Sequence, residues 1–565
     1  MEFSIVSGFS LDCMTTTLLT LLAMSTSSTT SIFDLPPIVD TVCRYLHRQD
    51  YYNVSLVSTA FHHGCKRYIW KTLVFKNTVD NEAISEDHQK TLRANLHWIQ
   101  GLTVNKIYTP LTCLTICPTL SKNLKFLECD LEHESSEYTK AIALFMSFGA
   151  FISNLTLRSR DDDPQNNEEG RPLNIDGIRQ VFMFLPSSLK NISVYTAVRF
   201  GAMDLFLLLS NLPASVESVC YRETFAQGRD LLNPGSFLRE LHLSWPVVYP
   251  NMKRLEFGEF AQFNLTSVLL PLLRKCPLLE HLSLPIIPGH DLPSIAEVLR
   301  DSCPKLNTLT IVGYLEEDEL LSVVDALPGL ASLDLSIDTP TLAIFVSQMI
   351  AKWSNTLTSL ILGAGAIIES SDIQLLLTSC PRLLTFWMYP HGEAERLWSF
   401  SPYYSPLLLS DLAQSEWTCL GLKALCILFH DERFEQGTLE QHLEQEERTQ
   451  ELIKKAYTQL GKLKRLQALS VGWGRPFREG EEDDESLAIH KPGPLVHMDF
   501  SMSSGLALLK EMGSLRQLSL DGMARISVRA EELEWIQQTW PYARISGLDK
   551  SSTDWLQVQQ FSLTV

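Results

Sequence analysis

Cys276-Pro277-Leu278-Leu279-Glu280-His281-Leu282-Ser283-Leu284 is followed by Cys303-Pro304-Lys305-Leu306-Asn307-Thr308-Leu309-Thr310-Ile311, a second copy of the same phrase. The phrase returns as Leu330-Leu333-Leu335, Leu357-Leu360-Leu362 and Leu383-Phe386-Met388, each an apolar triplet in L-x-x-L-x-L spacing. The middle residues of these five copies, Leu282 to Phe386, stand 24–27 residues apart. A fixed period of that length marks a stacked array. The alternation closing each triplet makes a short strand with one buried and one open face. Between triplets, Leu269-Leu272-Leu273 and Ile295-Val298-Leu299 keep the spacing of an amphipathic helix. Each helix stops at Cys276-Pro277, Cys303-Pro304 or Cys380-Pro381, with Leu327-Pro328 in the same slot. The cysteine there is a small structural residue at the last turn, and proline cannot continue the helix.

One strand and one helix cannot bury an apolar face alone, so the units must stack. The chain therefore reads as leucine-rich repeats, an α/β horseshoe solenoid with parallel strands on the inner curve and helices on the outer one. Less regular copies centre on Leu102, Leu127, Leu155, Ile192, Val219, Leu241 and Leu255 upstream, and on Leu425, Leu469 and Leu518 downstream. Leu241 and Leu255 are too close for a strand plus a helix, so one of them is not a full repeat. The asparagine that often follows L-x-L is missing, which points to the long-helix variety. The solenoid is expected over 76–550, followed by a tail at 551–565. Acidic loop insertions are expected at 158–171, around Asp161-Asp162-Asp163, and at 474–493, around Glu479 to Glu485. Thr438 to Leu460 reads as a charged helix whose stripe of Leu439, Leu443, Leu452, Ile453, Ala456, Tyr457 and Leu460 packs on the array.

The composition of the 565 residues agrees with a folded, non-membrane chain: 45% are hydrophobic and 20% charged. Against 47 basic side chains stand 66 acidic ones, a formal charge of −19. No basic cluster stands out, so a polyphosphate-binding surface is not expected. Twelve cysteines without a CxxC pair or regular histidine partners read as reduced structural thiols in the cytoplasm or nucleus, and no metal or cofactor is implied. Residues 1–31 lack the positive n-region of a signal peptide and read as a disordered leader, in which Met24 is an alternative start.

Residues 32–75 differ from the repeats. Asp34 suits an N-cap and Pro36-Pro37 a first helical turn. Ile38, Val39, Val42, Cys43 and Leu46 keep helical spacing, and Val54, Val57, Ala60, Phe61 and Gly64 make a second helix. Tyr68, Ile69 and Trp70 close a third short element. About 40 residues cannot hide all of this apolar surface alone.

Leu35-Pro36, the Val42 to Leu46 spacing, Asp50, Leu56-Val57-Ser58 and Ile69-Trp70 resemble an F-box. An F-box followed by Cys-Pro-x-Leu repeats is similar to F-box/leucine-rich-repeat proteins, as in the expanded fungal sets. The usual acidic residue after Leu-Pro is absent, and Phe61 stands where tryptophan is commoner. The resemblance implies three helices that dock on a Skp-family adaptor and through it on a cullin. Leu35, Pro36, Ile38, Val39, Val42, Leu46, Leu56 and Val57 would supply the adaptor-facing or supporting apolar surface. It implies a substrate-recognition subunit of an SCF-type ubiquitin ligase, with ubiquitin-dependent degradation of a bound target protein.

Catalysis needs convergent groups with tuned pKa values. The sequence has no G-x-S-x-G elbow, P-loop, dinucleotide fingerprint or H-E-x-x-H, so no catalytic residue is expected. The open strand positions include His281, Ser283, Thr308, Thr310, Asp334, Ser336, Ile361, Trp387, Tyr389, Ser470 and Gln517. Of these, His281, Asp334, Trp387 and Tyr389 are candidate target-binding residues, with the aromatic pair of the kind that anchors interfaces. The competing reading is a non-ligase leucine-rich-repeat scaffold whose F-box-like helices only cap the array, since terminal repeats need caps.

Overall fold

The structure, a computed structural model, describes residues 36–46, 50–75, 86–104, 123–131, 135–159, 175–196, 202–223, 248–258, 266–286, 291–339, 342–388 (without 364 and 367), 407–430 (without 428), 439–471, 501–520 and 530–546. The chain divides into two compact units between Phe263 and Asn264.

The first unit opens with helices α1 (Pro36–Tyr45), α2 (Asp50–Ser55) and α3 (Thr59–Ile69). The continuous second helix read from the sequence is broken at Leu56–Ser58. Ser58 leaves the helical conformation and its side chain accepts the Phe61 N–H at 3.2 Å, starting α3 afresh. Tyr68 and Ile69 then belong to α3 instead of a separate element.

Strands β1 (Thr72–Phe75), β2 (Gly101–Val104), β3 (Phe126–Leu131), β4 (Asn154–Ser159), β5 (Asn191–Thr196), β6 (Ser218–Glu223) and β7 (Arg254–Phe257) form a parallel ladder in chain order. Helices α4 (Glu86–Asn95), α5 (Ser135–Phe148), α6 (Ile175–Met183) and α7 (Ala202–Ser210) lie between strands in the sequence. The middle apolar residues Leu102, Leu127, Leu155, Ile192, Val219 and Leu255 of the sequence pattern face one another in register, with Leu73 of β1 set against Leu102 as a further rung. Because β6 pairs directly with β7, the copy around Leu255 is the rung and the one around Leu241 is not interposed; residues 238–243 lie outside the described residues. Arg158 and Ser159 pair with Tyr195 and Thr196, so the expected loop at 158–171 begins as strand.

The second unit repeats the plan. Helices α8 (Thr266–Leu273), α9 (Leu292–Ser302), α10 (Glu317–Ala326), α11 (Ala343–Trp353) and α12 (Ser370–Ser379) alternate with β8 (His281–Ile286), β9 (Thr308–Tyr314), β10 (Ser332–Thr339), β11 (Ser359–Leu362) with the short β12 (Gly365–Ala366), and β13 (Thr385–Met388). A two-residue pair, β14 (Leu407–Leu408) with β16 (Phe429–His430), stands apart, and the ladder continues through β15 (Ala424–Cys426), β17 (Ala468–Ser470), β18 (Gln517–Ser519) and β19 (Arg544–Ser546). Helices α13 (Leu409–Leu412), α14 (Leu439–Gly461) and α15 (Ala530–Thr539) complete it. The register runs Leu282, Leu309, Leu333, Leu360, Phe386, Leu425, Leu469, Leu518 and Ile545. All nine are buried except Ile545 at the last rung, which is half-buried. Each buried leucine contributes roughly 1.5–3 kcal/mol.

At each of the three Cys-Pro slots the cysteine carbonyl accepts an N–H three residues on, from Leu279 to Cys276 at 3.2 Å, from Leu306 to Cys303 at 3.1 Å and from Leu383 to Cys380 at 3.2 Å. Slots also touch one another: the Cys303 Sγ reaches the Cys276 carbonyl at 3.7 Å, and Trp353 Nε1 donates to the Leu327 carbonyl at 3.2 Å. The residue before each strand offers a carbonyl shared by two N–H groups of the next rung. Lys71 accepts from Gln100 and Gly101, Lys125 from Ser153 and Asn154, and Lys190 from Glu217 and Ser218. On α14, Ile453, Ala456, Tyr457 and Leu460 are buried and Leu452 is half-buried, as expected of the C-terminal part of the stripe, while the side chains of Leu439 and Leu443 lie outside those described. The expected leader, the acidic insertion at 474–493 and the tail lie outside the described residues.

Candidate functional site

The helical module is built on a small core of Val39, Cys43, Val54, Phe61 and Cys65. Helices α1 and α3 approach closely because residue 64 is glycine: a Cβ there would sit 2.2 Å from Val39 Cγ1. The Cys43 and Cys65 thiols meet at 3.3 Å, and burial pushes the Cys65 thiol up to about 12. Asp40 ties the two helices together by accepting from the Tyr68 hydroxyl at 2.6 Å and by pairing with Arg67, and within α1 it also accepts from Arg44 Nη2 at 2.9 Å. Tyr51 stacks on Tyr68 with ring centroids 5.5 Å apart.

This core divides the residues assigned to adaptor contact. Val39 is buried within the module, and Val42, Leu46 and Val57 pack half-buried against the core. Ile38 is half-buried, Pro36 is exposed, and Leu56 is 71% exposed. Leu35 lies outside the described residues. Sequence reasoning missed Tyr45 and Tyr52, exposed by 84% and 62%. Tyr45 stands seven residues after Ile38, at the outer edge of the Ile38–Leu46 stripe and on the side of α1 away from Cys43, which is the signal that it points outward.

The second candidate surface is the open face of the strands. In the second unit two rows emerge. The first carries His281, Thr308, Ser332, Ser359 and Thr385, and the second Ser283, Thr310, Asp334, Ile361 and Trp387. All ten side chains are half-buried. Asp334 accepts from the Ser336 hydroxyl at 3.3 Å. His281, Asp334 and Trp387 thus share one face, with Asp334 and Trp387 in one row, while Tyr389 lies outside the described residues. Ser470, expected to be open, is instead buried, as are its row neighbours Cys426 and Ser519. The strands are three residues long there, and Cys426, Ser470 and Ser519 close them. Gln517, in the first row, stays half-buried.

The open face of the first unit carries charge. Arg158, Tyr195 and Arg222 are register neighbours on β4, β5 and β6. Arg158 pairs with Glu128 at 2.9 Å and lies 5.6 Å from the Tyr195 ring centre. Beside them burial pushes the Cys220 thiol up to about 11, with the Glu256 carboxylate adding to the shift.

Among the described residues no cluster of three His, Cys, Asp or Glu side chains is arranged to hold a metal ion, and no helix is long and apolar enough to cross a membrane. No protein-family model and no curated protein matches the chain.

Proposed function

We propose that the chain is a non-catalytic substrate-recognition subunit of an SCF-type cullin–RING ubiquitin ligase, acting in the cytoplasm or nucleus. The helical module is read as an F-box that holds a Skp-family adaptor, and the ladders as leucine-rich repeats that hold a target protein. The observation that carries the reading is the module's division into a private core and an outward set of Pro36, Tyr45, Tyr52 and Leu56. Apolar side chains left open on so small a module call for a partner. Catalysis in such a complex is proximity: the target's lysines are held at high effective concentration near the charged ubiquitin carrier.

The scaffold reading draws support from a different observation. Strand β1 follows α3 directly and pairs with β2 from Thr72 to Phe75, so the module stands at one end of the first ladder, where a cap is needed. One experiment separates the two. The full chain is tested by pull-down with a Skp-family adaptor, as wild type and as Tyr52→Asp/Leu56→Asp. A ligase subunit binds at micromolar concentration and loses binding with its melting temperature unchanged. A cap fails to bind as wild type, which would remove the ligase reading.

A further inference from the structure

The turns leading from each helix into the next strand gather residues that are distant in sequence. In the first unit the position immediately before the strand is lysine on alternate rungs: Lys71 before β1, Lys125 before β3, Lys190 before β5 and Lys253 before β7. All four are exposed. Neighbouring strands lie about 4.8 Å apart, so successive lysines stand about 9.6 Å apart in a row about 29 Å long. The side chains of the row are within reach of each other, since Lys190 Nζ and Lys253 Nζ each lie 3.1 Å from the Glu217 carboxylate.

Glu217 is the one carboxylate among the described turn residues of this edge (70–71, 96–100, 123–125, 149–153, 184–190, 211–217 and 248–253). The edge is therefore cationic on a chain whose formal charge is −19. Beside Lys125, Phe126 opens β3 with 48% of its surface exposed.

We propose that this row binds an extended acidic polypeptide segment with a carboxylate at every third residue. A polyproline II segment completes one turn every three residues and rises about 3.1 Å per residue, so every third side chain falls on one face about 9.3 Å apart, close to the distance between successive lysines. Glu217 faces a position between two carboxylates of such a segment. A nucleic-acid backbone carries a charge about every 3.4 Å along each strand and would press phosphate against Glu217. The surface does not depend on whether the helical module takes an adaptor.

The test is fluorescence anisotropy with the full chain at low ionic strength. The probes are a labelled ten-residue peptide with glutamate at positions one, four, seven and ten among serine and glycine, an isomer with its glutamates contiguous, and a thymidine oligonucleotide of equal charge. The spaced peptide is expected to bind at least fivefold more tightly than either control, and binding should weaken steeply with salt. Lys125→Glu/Lys190→Glu should lower its affinity at least tenfold, and Lys71→Glu/Lys253→Glu provides an independent pair. Circular dichroism confirms that each variant is folded. The proposal is overturned by equal binding of the two peptides, by tighter binding of the oligonucleotide, by no peptide binding at millimolar concentration, or by folded charge-reversal variants that bind as wild type does.

Discussion

Gly64→Ala is the sharpest probe of the helical module. The added Cβ would lie 2.2 Å from Val39 Cγ1, 3.6 Å from Val39 Cβ and 3.7 Å from Cys43 Sγ. Val39 is only 2% exposed and has no open space to swing into. Overpacking of this kind costs about 1–3 kcal/mol, while alanine regains about 1 kcal/mol of helix propensity over glycine. The net loss should be about 0–2 kcal/mol. Val39→Ala alone removes two buried methyl groups, at a cost of about 1–3 kcal/mol. In the double variant the clash is gone and the new methyl fills part of the space, so the two changes should offset each other by about 1–3 kcal/mol. With two compact units, global melting need not be two-state. The suitable readout is native-state hydrogen exchange at amides of residues 36–69 in a full double-mutant cycle. Additivity within about 0.5 kcal/mol, or a gain in stability from Gly64→Ala with Val39 intact, would refute the packing described.

Three further outcomes are expected. Asp291 caps α9 by accepting the Ser294 N–H at 3.0 Å, and its bonds from the Ser294 side chain and backbone hold its carboxyl below the usual range. The folded pKa is the lower one, so its stabilisation is complete above about pH 4 and is lost as pH falls through the folded value. Asp291→Asn should therefore shrink the acid-side drop in melting temperature by an amount equivalent to a few tenths of a kcal/mol for so exposed a group, and an unchanged pH profile would contradict this. Burial pushes the Cys303 and Cys419 thiols up to about 12 and Cys380 to about 11. At pH 8 these sites should react with a disulfide reagent far more slowly in the native chain than in denaturant, as followed by mass spectrometry of labelled peptides; equal rates would mean that the slots are open. Trp417→Phe deletes the Nε1 donor that meets Gln374 Oε1 at 3.0 Å in a buried network where Gln374 and Gln459 both donate to the Ser415 carbonyl. It should cost the second unit about 1–3 kcal/mol in hydrogen-exchange stability, and a loss under 0.3 kcal/mol would show the bond to be dispensable.

The ladder was legible in the sequence because its determinant is local. Leu279, Leu282 and Leu284 lie within six residues, and the same spacing recurs wherever a strand must present one face to the core. Leu73 and Ile545 occupy rungs outside the triplets of the sequence pattern: Trp70 stands in the first apolar slot of one and Gly547 in the third slot of the other. The break between α2 and α3 was hidden because apolar periodicity continues through Val54, Val57, Ala60 and Phe61, and only the Ser58 cap interrupts it. Burial of Ser470 could not be read because its triplet, Leu466-Leu469-Val471, has the same spacing as those whose second row stays half-open. The lysine row was invisible for the opposite reason: Lys125 and Lys190 are 65 positions apart, and only strand register brings them to one edge. A net charge averages such segregation away.

The shared carbonyls before each strand also have a mechanical meaning. Pulling one rung free of its neighbour breaks two bonds on a single oxygen as well as the strand pairing, so each rung should resist tension as a unit and yield in one event. Drawn from one end within either unit, the ladder would peel instead of shearing. For neighbouring rungs such as β8 to β13, 24–27 residues apart, each event should release about 8–10 nm of slack. A force trace of the array would then read as a staircase whose tread length is the repeat period.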